Sequence, residues 1–318
     1  MDQSQRFPSA SPEPAEYDAI VVGGSYAGLS AAMQLARARR RILILDGGRP
    51  RNRFAPTSHG FFGQDGLSPG KMIETARRQV MAYPTVRFQQ AEATLATREK
   101  DGFLLAFGGD HAARGKRLVL ATGVKDDLPT IPGLQELWGT GVAHCPYCHG
   151  YEVADRKLAV LGVNGPAVHQ ALLLRDWSGD VTLLTNGGED LTKDDQDRLR
   201  DRGVKIEKAS VSRLIAKGQE LEAVEFADGR RLPFGGMFLP SRWSLTSPLA
   251  EQLGCEIEQG AFGPMIKTDA FKKSTVEGIY AAGDAARAMH SATLASADGV
   301  IAGAAAHQSL VFAGGQRS

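Results

Sequence analysis

A strand, a glycine turn and a helix follow one another at two places in the chain, and Gly162 of the second turn follows Gly23 of the first by 139 residues. Parallel strands need a crossover connection, which is usually a helix, and buried parallel strands are rich in β-branched residues. A spacing of this size is that of a domain rather than of a solenoid repeat. The sequence therefore predicts an α/β protein in which a three-layer, Rossmann-like architecture is used twice.

The first motif has the pattern of a dinucleotide-binding site. The β-branched run 17–22 leads into Gly23, a helix follows Gly28, and the next strand ends at Asp46. Gly23 allows the tight turn, Gly28 lets helix and strand approach, and the helix N-terminus suits a pyrophosphate, while Asp46 suits a ribose hydroxyl. Ser25 stands where a second glycine is usual, and we expect this small substitute to be tolerated.

The second motif repeats the architecture with a weaker fingerprint. Strand 157–161 runs into Gly162, and Asn164 occupies the position of close approach to the phosphates. The following strand, 180–184, leads into Thr-Asn-Gly-Gly at 185–188, with no immediate acid for a ribose and no arginine pair for a 2′-phosphate. A scaffold without pyridine nucleotide is the alternative to a weak NAD(P) site. The residues of that weak site would be Gly162, Asn164, Gly165 and Ala167.

The composition excludes several classes of partner. The chain has 37 Lys and Arg against 36 Asp and Glu, so it offers no electrostatic footprint for nucleic acid or a membrane surface. No apolar run approaches the roughly 18 residues of a membrane span. The N-terminal residues lack the pattern of a signal peptide. We therefore expect a cytoplasmic protein, in which structural disulfides are rare.

The cysteine pair is the strongest chemical signal. Cys145 and Cys148 are separated by two residues and flanked by His144 and His149. This spacing lets both sulfurs meet across the first turn of a helix, where a nearby imidazolium lowers a thiol's pKa, and Pro146 pre-sets that turn.

Four interpretations of the pair compete. A zinc site would need a second ligand pair at suitable spacing, which the sequence lacks, so we expect no metal. Attachment of c-type haem matches Cys-x-x-Cys-His but normally requires export. An inert buried pair is the third possibility. A redox-active disulfide served by a flavin accounts for the most features, and we interpret the lone Cys255 as structural.

Together the Gly23–Gly28 turn, Ala121-Thr122-Gly123, the cysteine pair and Gly283-Asp284 resemble the low-molecular-weight thioredoxin reductase family of FAD enzymes. The resemblance runs from Tyr17 to about Ala313. It implies a homodimer in which Cys148 faces the flavin, Cys145 meets the substrate and Asp284 binds the ribityl-phosphate region. The flavin-binding residues that it implies are Gly23, Gly24, Ser25, Ala27, Gly28, Asp46, Gly47, Asn52, Thr122, Gly123, Gly283, Asp284, Ser291 and Ala292.

The order of these signals also predicts that the second domain is inserted into the first. The strand at 278–284 and a small-residue helix at about 293–308 resume the first domain after the second. We predict a flexible arm (1–15), an FAD-binding domain (16–123 with 247–318) and an NAD(P)-type domain with the cysteine pair (124–246).

Three departures from the family's reductases define the predicted function. This chain has His149 where they have Asp, 185–188 where they have a basic NADPH cluster, and His290-Ser291-Ala292 where they have Arg-Gln-Ala. The departures resemble the branch that oxidises natural-product dithiols, as in gliotoxin, holomycin and romidepsin biosynthesis. We therefore predict dithiol oxidation through the cysteine pair, with His149, or alternatively His144, as acid/base.

The electrons would pass to FAD and then to O2 or NADP+. Two other functions stay open. One is a thioredoxin reductase that moves electrons from NAD(P)H to a thioredoxin-like protein, and the other is a flavin-linked redox sensor.

Overall fold

The computed structural model describes residues 14–162, 165–188 and 191–312. Its strands are β1 (Ala15–Val22), β2 (Ile42–Leu45), β3 (Val86–Gln89), β4 (Ala93–Glu99), β5 (Gly102–Phe107), β6 (His111–Leu120), β7 (Val124–Asp127), β8 (Val142–Ala143), β9 (Leu158–Leu161), β10 (Val181–Leu184), β11 (Lys205–Glu207), β12 (Val211–Lys217), β13 (Glu220–Phe226), β14 (Arg231–Pro233), β15 (Gly236–Phe238), β16 (Arg242–Leu245), β17 (Ile257–Gln259), β18 (Pro264–Ile266) and β19 (Ile279–Ala281). Its α-helices are α1 (Tyr26–Arg37), α2 (Pro69–Met81), α3 (Leu134–Leu137), α4 (Pro146–His149), α5 (Gly165–Leu174), α6 (Lys193–Asp201), α7 (Leu249–Gln252) and α8 (Ala292–Phe312).

The chain divides into two compact units. The first unit contains the residues up to Arg51, Gly70–Lys125 and those from Trp243 onward, and the second unit contains Asn52–Pro69 and Asp126–Arg242. The structure differs from the expected boundaries at 52–69, which the sequence places in the FAD-binding domain. The difference follows from contacts that this segment makes over long chain distances. Phe54 lies against Gly139, where an added Cβ would come within 2.7 Å of the Phe54 Cβ.

The expected N-terminal arm also ends earlier than residue 15. Ala15 and Glu16 already belong to β1, where they are paired with Ala113 and Arg114 of β6. Residues 1–13 of the arm lie outside the described residues.

The first unit is built on a seven-stranded sheet with the order β3-β2-β1-β6-β5-β4, and β19 also pairs with β6. Strands β3, β2, β1, β6 and β19 run parallel, whereas β4 and β5 are antiparallel. The alternation of side chains along β1 separates two cores. Ile20 and Val22 pack into one hydrophobic cluster, and Ala19 and Val21 pack into the other. The sheet therefore has a hydrophobic core on each of its two faces, as the predicted three-layer architecture requires.

Helices α1 and α8 pack closely against each other on one face of this sheet. The contact depends on small residues of α8. A Cβ on Gly299 would collide with the Ala27 carbonyl oxygen, and a Cβ on Gly303 would collide with that of Ala31. Glycine at both positions therefore lets the two helix backbones approach.

The second unit has a five-stranded parallel sheet with the order β11-β10-β9-β15-β8 and a separate antiparallel sheet, β12-β13-β14. The alternation along β9 again separates two clusters, with Ala159 and Leu161 in one and Leu158 and Val160 in the other. The predicted α/β class with Rossmann-like parallel sheets is confirmed. Across the described ranges, no helix combines the length and the hydrophobicity that a membrane crossing requires.

Candidate functional site

The first glycine turn joins β1 to α1, and glycine is required at two of its positions. Gly23 has a φ of +109°, and a Cβ on it would collide with the Ala121 carbonyl oxygen. A Cβ on Gly28 would collide with the carbonyl oxygen of Gly23. A larger residue at Gly28 would force the helix away from the turn, and one at Gly23 would force the turn away from the end of β6.

The N-terminus of α1 offers backbone donors to an anion. Ser25 precedes the helix in an extended conformation, its side chain makes no capping hydrogen bond within the described chain, and the first turn carries no acidic residue. The first N–H groups of a helix lack intrahelical partners and attract negative charge. Ala27 of this first turn lies beneath Gly283, where an added Cβ would be 2.8 Å from the Ala27 Cβ.

Asp46 lies one residue beyond β2, at the carboxyl edge of the sheet. The N–H of Gly24 donates to its Oδ1 at 3.1 Å. A Cβ on Gly24 would be only 2.7 Å from the Cβ of Asp46, whereas one on Gly47 would meet nothing within 4 Å. One carboxylate oxygen is thus held by the backbone, and the other can accept from a ribose hydroxyl.

Asp284 lies in the short 3-10 turn Gly283–Ala286 that follows β19. Its Oδ2 is 3.1 Å from a guanidinium nitrogen of Arg51, with side chains 18% and 15% exposed. Arg51 also contacts His290, whose ring centroid is 4.4 Å from that of Trp243. Sequence reasoning missed Arg51 as a partner of Asp284, because the pair joins positions 233 residues apart.

Four more predicted flavin-site residues lie just beyond the end of β6 and at the start of α8. The Thr122 carbonyl accepts a hydrogen bond from Thr246 Oγ1 at 2.7 Å, and Gly123 has a φ of +71°. Ser291 precedes α8, and its Oγ accepts a backbone N–H of the first turn at 3.1 Å. Ala292 begins the helix.

These residues fit FAD. The glycine turn brings the backbone and the N-terminus of α1 to a place where a Cβ would leave no room, which suits a pyrophosphate. Asp46 would hold the ribose and Asp284 the ribityl-phosphate region. Asn52, also predicted to bind the flavin, clusters with the second unit and not with the other predicted flavin residues.

In the second unit, Cys145 and Cys148 form a disulfide with their Cα atoms 5.3 Å apart. Cys145 is the extended residue before α4, and Pro146 occupies the first helical position, where a missing N–H costs no hydrogen bond. Cys148 lies in the single turn of this helix. The sequence spacing therefore produces the predicted geometry, in which both sulfurs meet across a helical turn.

His149 ends α4, directly after Cys148. Its two ring nitrogens are inaccessible to solvent and have no hydrogen-bond partner among the described residues. Burial lowers the pKa of the imidazole, against the weaker opposing effects of the Cys145 carbonyl and the Glu152 carboxylate. His144 instead packs against Trp138, with ring centroids 6.3 Å apart.

Sequence reasoning missed a polar pair in the same unit. His59 Nε2 is 3.3 Å from Glu152 Oε1 and 3.1 Å from Thr57 Oγ1. His59 Nδ1 is 3.5 Å from Asp65 Oδ2. The segment 52–69 brings His59 to this place, and no local pattern in it indicates a partner 93 residues away.

The second glycine turn follows β9. Gly162 has a φ of +140°, and its N–H donates to the Leu184 carbonyl at 3.0 Å. At the end of β10, the Oδ1 of Asn186 accepts the N–H of Val211 at 2.7 Å. Gly165 begins α5, Ala167 is fully buried in it, and Asn164 lies outside the described residues. The Asn186 side chain at the end of β10 is therefore already hydrogen-bonded to the first residue of β12.

The remaining cysteine is buried in the first unit. Cys255 is 6% exposed, and its Sγ lies 3.5 Å from Ser274 Oγ. Burial raises the pKa of this thiol. In the part of the chain that the structure describes, no group of three or more His, Cys, Asp and Glu side chains is arranged to hold a metal ion.

Known proteins match the chain over almost its whole length. The family profile described as pyridine nucleotide-disulphide oxidoreductase matches residues 17–299. Thioredoxin reductase tcpT from Claviceps purpurea is 33% identical over 317 residues, which cover 95% of this chain and 97% of that protein. The crystal structure of an oxidoreductase from Agrobacterium tumefaciens is 45% identical with a TM-score of 0.88, covering 93% of this chain and 99% of that one. The crystal structure of HlmI is 37% identical with a TM-score of 0.85, covering 96% and 95%.

These matches confirm the predicted resemblance and the predicted oxidoreductase class. The family binds FAD and uses NADPH as reductant, so the predicted FAD cofactor is confirmed as well. The chain belongs to the pyridine nucleotide-disulphide oxidoreductase family, as a thioredoxin-reductase-like enzyme with FAD.

Proposed function

We propose that this enzyme oxidises a small-molecule dithiol to its intramolecular disulfide at the Cys145–Cys148 pair. The observation that carries the proposal is the inequality of the two glycine turns. The turn of the first unit fits FAD, whereas the strand end beside the second turn uses Asn186 to bind the backbone of β12. Such an enzyme depends on its flavin and much less on a pyridine nucleotide as donor.

The surroundings of the disulfide suit an organic substrate. Tyr147 of α4 is 69% exposed, and Tyr151 just beyond the helix is 83% exposed. The Tyr147 ring packs edge-on against Trp177, with centroids 5.5 Å apart. Exposed aromatic rings next to the pair would contact the apolar part of a dithiol.

In the proposed exchange, the two electrons that the substrate loses are gained by the Cys145–Cys148 disulfide. One substrate thiolate attacks Cys145, breaks the Cys145–Cys148 bond and forms a mixed disulfide, leaving a thiolate on Cys148. The second substrate thiolate attacks the substrate sulfur of that mixed disulfide, closes the substrate's own disulfide and releases Cys145. The pair has then gained two electrons, and the substrate has lost two. Bound FAD supplies the two-electron acceptor for the reduced pair, with O2 or NADP+ as the proposed final acceptor.

His149 is the proposed acid/base of this exchange. Because burial lowers its pKa, the imidazole is neutral near pH 7 and can accept a thiol proton at a ring nitrogen. Neither ring nitrogen makes a regular hydrogen bond with a described residue, so no such bond has to break before the imidazole accepts a thiol proton.

The test compares two reductants under anaerobic conditions by stopped flow. A small dithiol should bleach the flavin of the wild-type enzyme within the time of turnover, and NADPH should do so far more slowly. Cys148→Ser should retain its flavin and stay oxidised with the dithiol. A wild-type flavin that the dithiol leaves oxidised would contradict the proposal.

The alternative is transfer from NAD(P)H through FAD to a protein disulfide. The name of the Claviceps purpurea relative, a thioredoxin reductase, favours it. Fast flavin reduction by NADPH, followed by turnover with thioredoxin, would establish this direction of electron flow.

We also propose that the enzyme is a homodimer. Apolar side chains of α8 that are exposed in the single chain support this, since exposed apolar patches often mark protein interfaces. They are Val300 (42%), Ile301 (38%), Val311 (49%) and Phe312 (72%). Sedimentation equilibrium should give twice the 34.0 kDa chain mass, and a monomer at micromolar concentration would contradict the proposal.

A further inference from the structure

A cation lies in the flavin site of the first unit, although the glycine turn of that site carries no charged residue. Arg51 begins the 3-10 turn Arg51–Phe54, and its Nη1 is 3.1 Å from Oδ2 of Asp284. The side chains of this pair are only 15% and 18% exposed. Taking two charges out of water is costly, and folding alone often gains little from such a pair. The pair therefore calls for a functional explanation.

The pair lies next to the place where the pyrophosphate of FAD fits. Gly283, the neighbour of Asp284, packs over the first turn of α1, where an added Cβ would be 2.8 Å from the Cβ of Ala27. The N-terminus of a helix attracts an anion through its backbone N–H groups. Through its contact with Asp284, the guanidinium of Arg51 is thus held near the end of α1 that suits a phosphate.

His290 fixes the orientation of the Arg51 side chain. Its Nε2 is 2.9 Å from the Arg287 carbonyl oxygen, which can only accept a hydrogen bond, so Nε2 carries a proton. Its Nδ1 contacts Nη1 of Arg51, and a guanidinium can only donate, so Nδ1 accepts and the ring is neutral. The ring also packs against Trp243, with centroids 4.4 Å apart. The imidazole is therefore held in place as an acceptor for Arg51.

Two further cations near this turn are engaged with a different carboxylate. Lys272 and Arg287 both lie against Oδ1 of Asp298 in α8, at 2.9 and 3.2 Å. The Asp298 side chain is 5% exposed, so this second cluster is more deeply buried than the first. Of these three cations, only Arg51 is paired with a carboxylate that belongs to the predicted flavin site.

We propose that Arg51 is a phosphate-binding residue of the flavin site. Its guanidinium presents N–H donors in a planar fork that matches the oxygens of a phosphate. Its positive charge also offsets the repulsion between the Asp284 carboxylate and the pyrophosphate of FAD. His290 acts through Arg51 and is a positioning residue. The inference requires bound FAD, and it holds whatever the substrate and the direction of electron flow.

The test compares the binding of three ligands to the full-length protein after its flavin has been removed. FAD has the flavin ring, the ribityl chain and the pyrophosphate, whereas riboflavin lacks the phosphates and ADP lacks the flavin. Flavin fluorescence measures the Kd for FAD and for riboflavin, and displacement of FAD measures the Kd for ADP.

The variants separate the charge of Arg51 from its shape. Arg51→Gln removes the charge, and Arg51→Lys retains the charge beside Asp284 but loses the fork. Arg114→Gln is the matched control, because Arg114 pairs with Glu99 at 2.8 Å in the same unit. Arg114 lies in the first half of β6, whereas the glycine turn contacts Ala121 just beyond the other end of that strand.

We expect Arg51→Gln to raise the Kd for FAD and for ADP by about tenfold to a hundredfold, because it removes a hydrogen bond between charged groups. Riboflavin should bind to it as to wild type. Arg51→Lys should give intermediate Kd values for FAD and ADP, and Arg114→Gln should bind all three ligands like wild type.

His290→Leu tests the positioning role. It should raise the Kd for FAD and for ADP, but by less than Arg51→Gln does. Adding it to Arg51→Gln should have no further effect, because residues that act through one another are not additive. Additive effects of the two substitutions would overturn the positioning role of His290.

Equal weakening of FAD and riboflavin in Arg51→Gln would overturn the proposal, because Arg51 would then support the flavin site as a whole and not its phosphates. Wild-type Kd values for FAD and ADP in Arg51→Gln would overturn it as well. Failure of dithiol oxidation would instead appear as an unbleached flavin in the wild-type enzyme, which these binding measurements do not involve.

Discussion

The three cysteines of the chain differ in their surroundings. Cys145 and Cys148 share a disulfide at a partly exposed helix end. Cys255 is packed in a core, and burial raises the pKa of its thiol. The thiolate is the reactive form of cysteine, so only the pair should take part in exchange at neutral pH.

Cys145→Ser and Cys148→Ser should therefore lower turnover by at least about a thousandfold, because each removes one of two sulfurs that act together. Cys255→Ser is the matched control and should turn over like wild type while losing about 1 kcal/mol of stability. Steady-state dithiol oxidation and denaturant unfolding measure the two effects. Loss of turnover in Cys255→Ser with flavin retained would contradict the assignment of the pair as the sole exchange site.

His149 should make the stability of the second unit depend on pH. Burial lowers the pKa of this histidine in the folded chain, so the unfolded chain takes up its proton first as the pH falls through about 6.5. The contribution of the neutral imidazole to stability is thus present above about pH 6.5 and is lost as the pH falls towards the lower folded pKa.

We expect the midpoint of chemical unfolding to fall below pH 6.5 more steeply in wild type than in His149→Gln, since each unit of pKa shift corresponds to about 1.4 kcal/mol. The difference between the two proteins at each pH isolates His149 from the other histidines. Parallel curves for the two proteins between pH 5 and 8 would show that His149 is not held neutral by burial.

At the scale of elements, the β1–α1 turn depends on the close approach at Gly28. In Gly28→Ala, the new Cβ would collide with the Gly23 carbonyl, and overpacking of this kind costs about 1–3 kcal/mol. Because 1.4 kcal/mol is tenfold in affinity, the Kd for FAD should rise about tenfold or more. Flavin absorbance per mole of purified protein measures the retention.

Gly70→Ala in α2 is the control for this substitution, since its Cβ would meet nothing within 4 Å and alanine favours a helix. Both variants lose one glycine, but only Gly28→Ala should lose flavin. Full flavin content in Gly28→Ala would mean that the turn does not hold the cofactor.

The elements that could be predicted from the sequence are those whose pattern is local. β1, α1, β2, β9, β10 and α8 follow from runs of apolar residues and adjacent glycines, and α4 follows from Cys-Pro-x-Cys. The antiparallel strands β4, β5 and β12–β14 were not predicted, because their short alternating segments carry no turn motif that separates them from loops.

The polar pairs of the site were beyond sequence reasoning for a different reason. Arg51–Asp284 and His59–Glu152 join residues far apart in the chain, and each forms only when the fold brings two elements together. A single sequence shows which residues can ionise but not which of them will meet. The resemblance that rests partly on Gly283-Asp284 implies a role for Asp284, whereas nothing in the sequence indicates the arginine that pairs with it.

At the scale of the whole molecule, each unit carries its own hydrophobic core. The first unit contains two clusters on either side of β1, and the second contains two on either side of β9. All predicted flavin residues except Asn52 belong to the first unit, and the disulfide belongs to the second. Cofactor binding should therefore stabilise one unit directly and leave the other nearly unchanged.

Calorimetry of the full chain should then show two transitions, of which flavin removal lowers only one. A ligand present at a thousand times its Kd stabilises its site by about 4 kcal/mol, which corresponds to roughly 10 °C for a unit of this size. Phe226→Leu identifies the other transition, because Phe226 is 1% exposed in the core of the second unit and its loss leaves a cavity there.

Phe226→Leu should lower the flavin-independent transition and leave the flavin-dependent one in place. A single transition that flavin removal and Phe226→Leu lower together would show instead that the two units unfold as one cooperative structure. In that case the flavin would stabilise the disulfide-bearing unit as well, and loss of cofactor would lower the stability of the fold that holds Cys145 and Cys148.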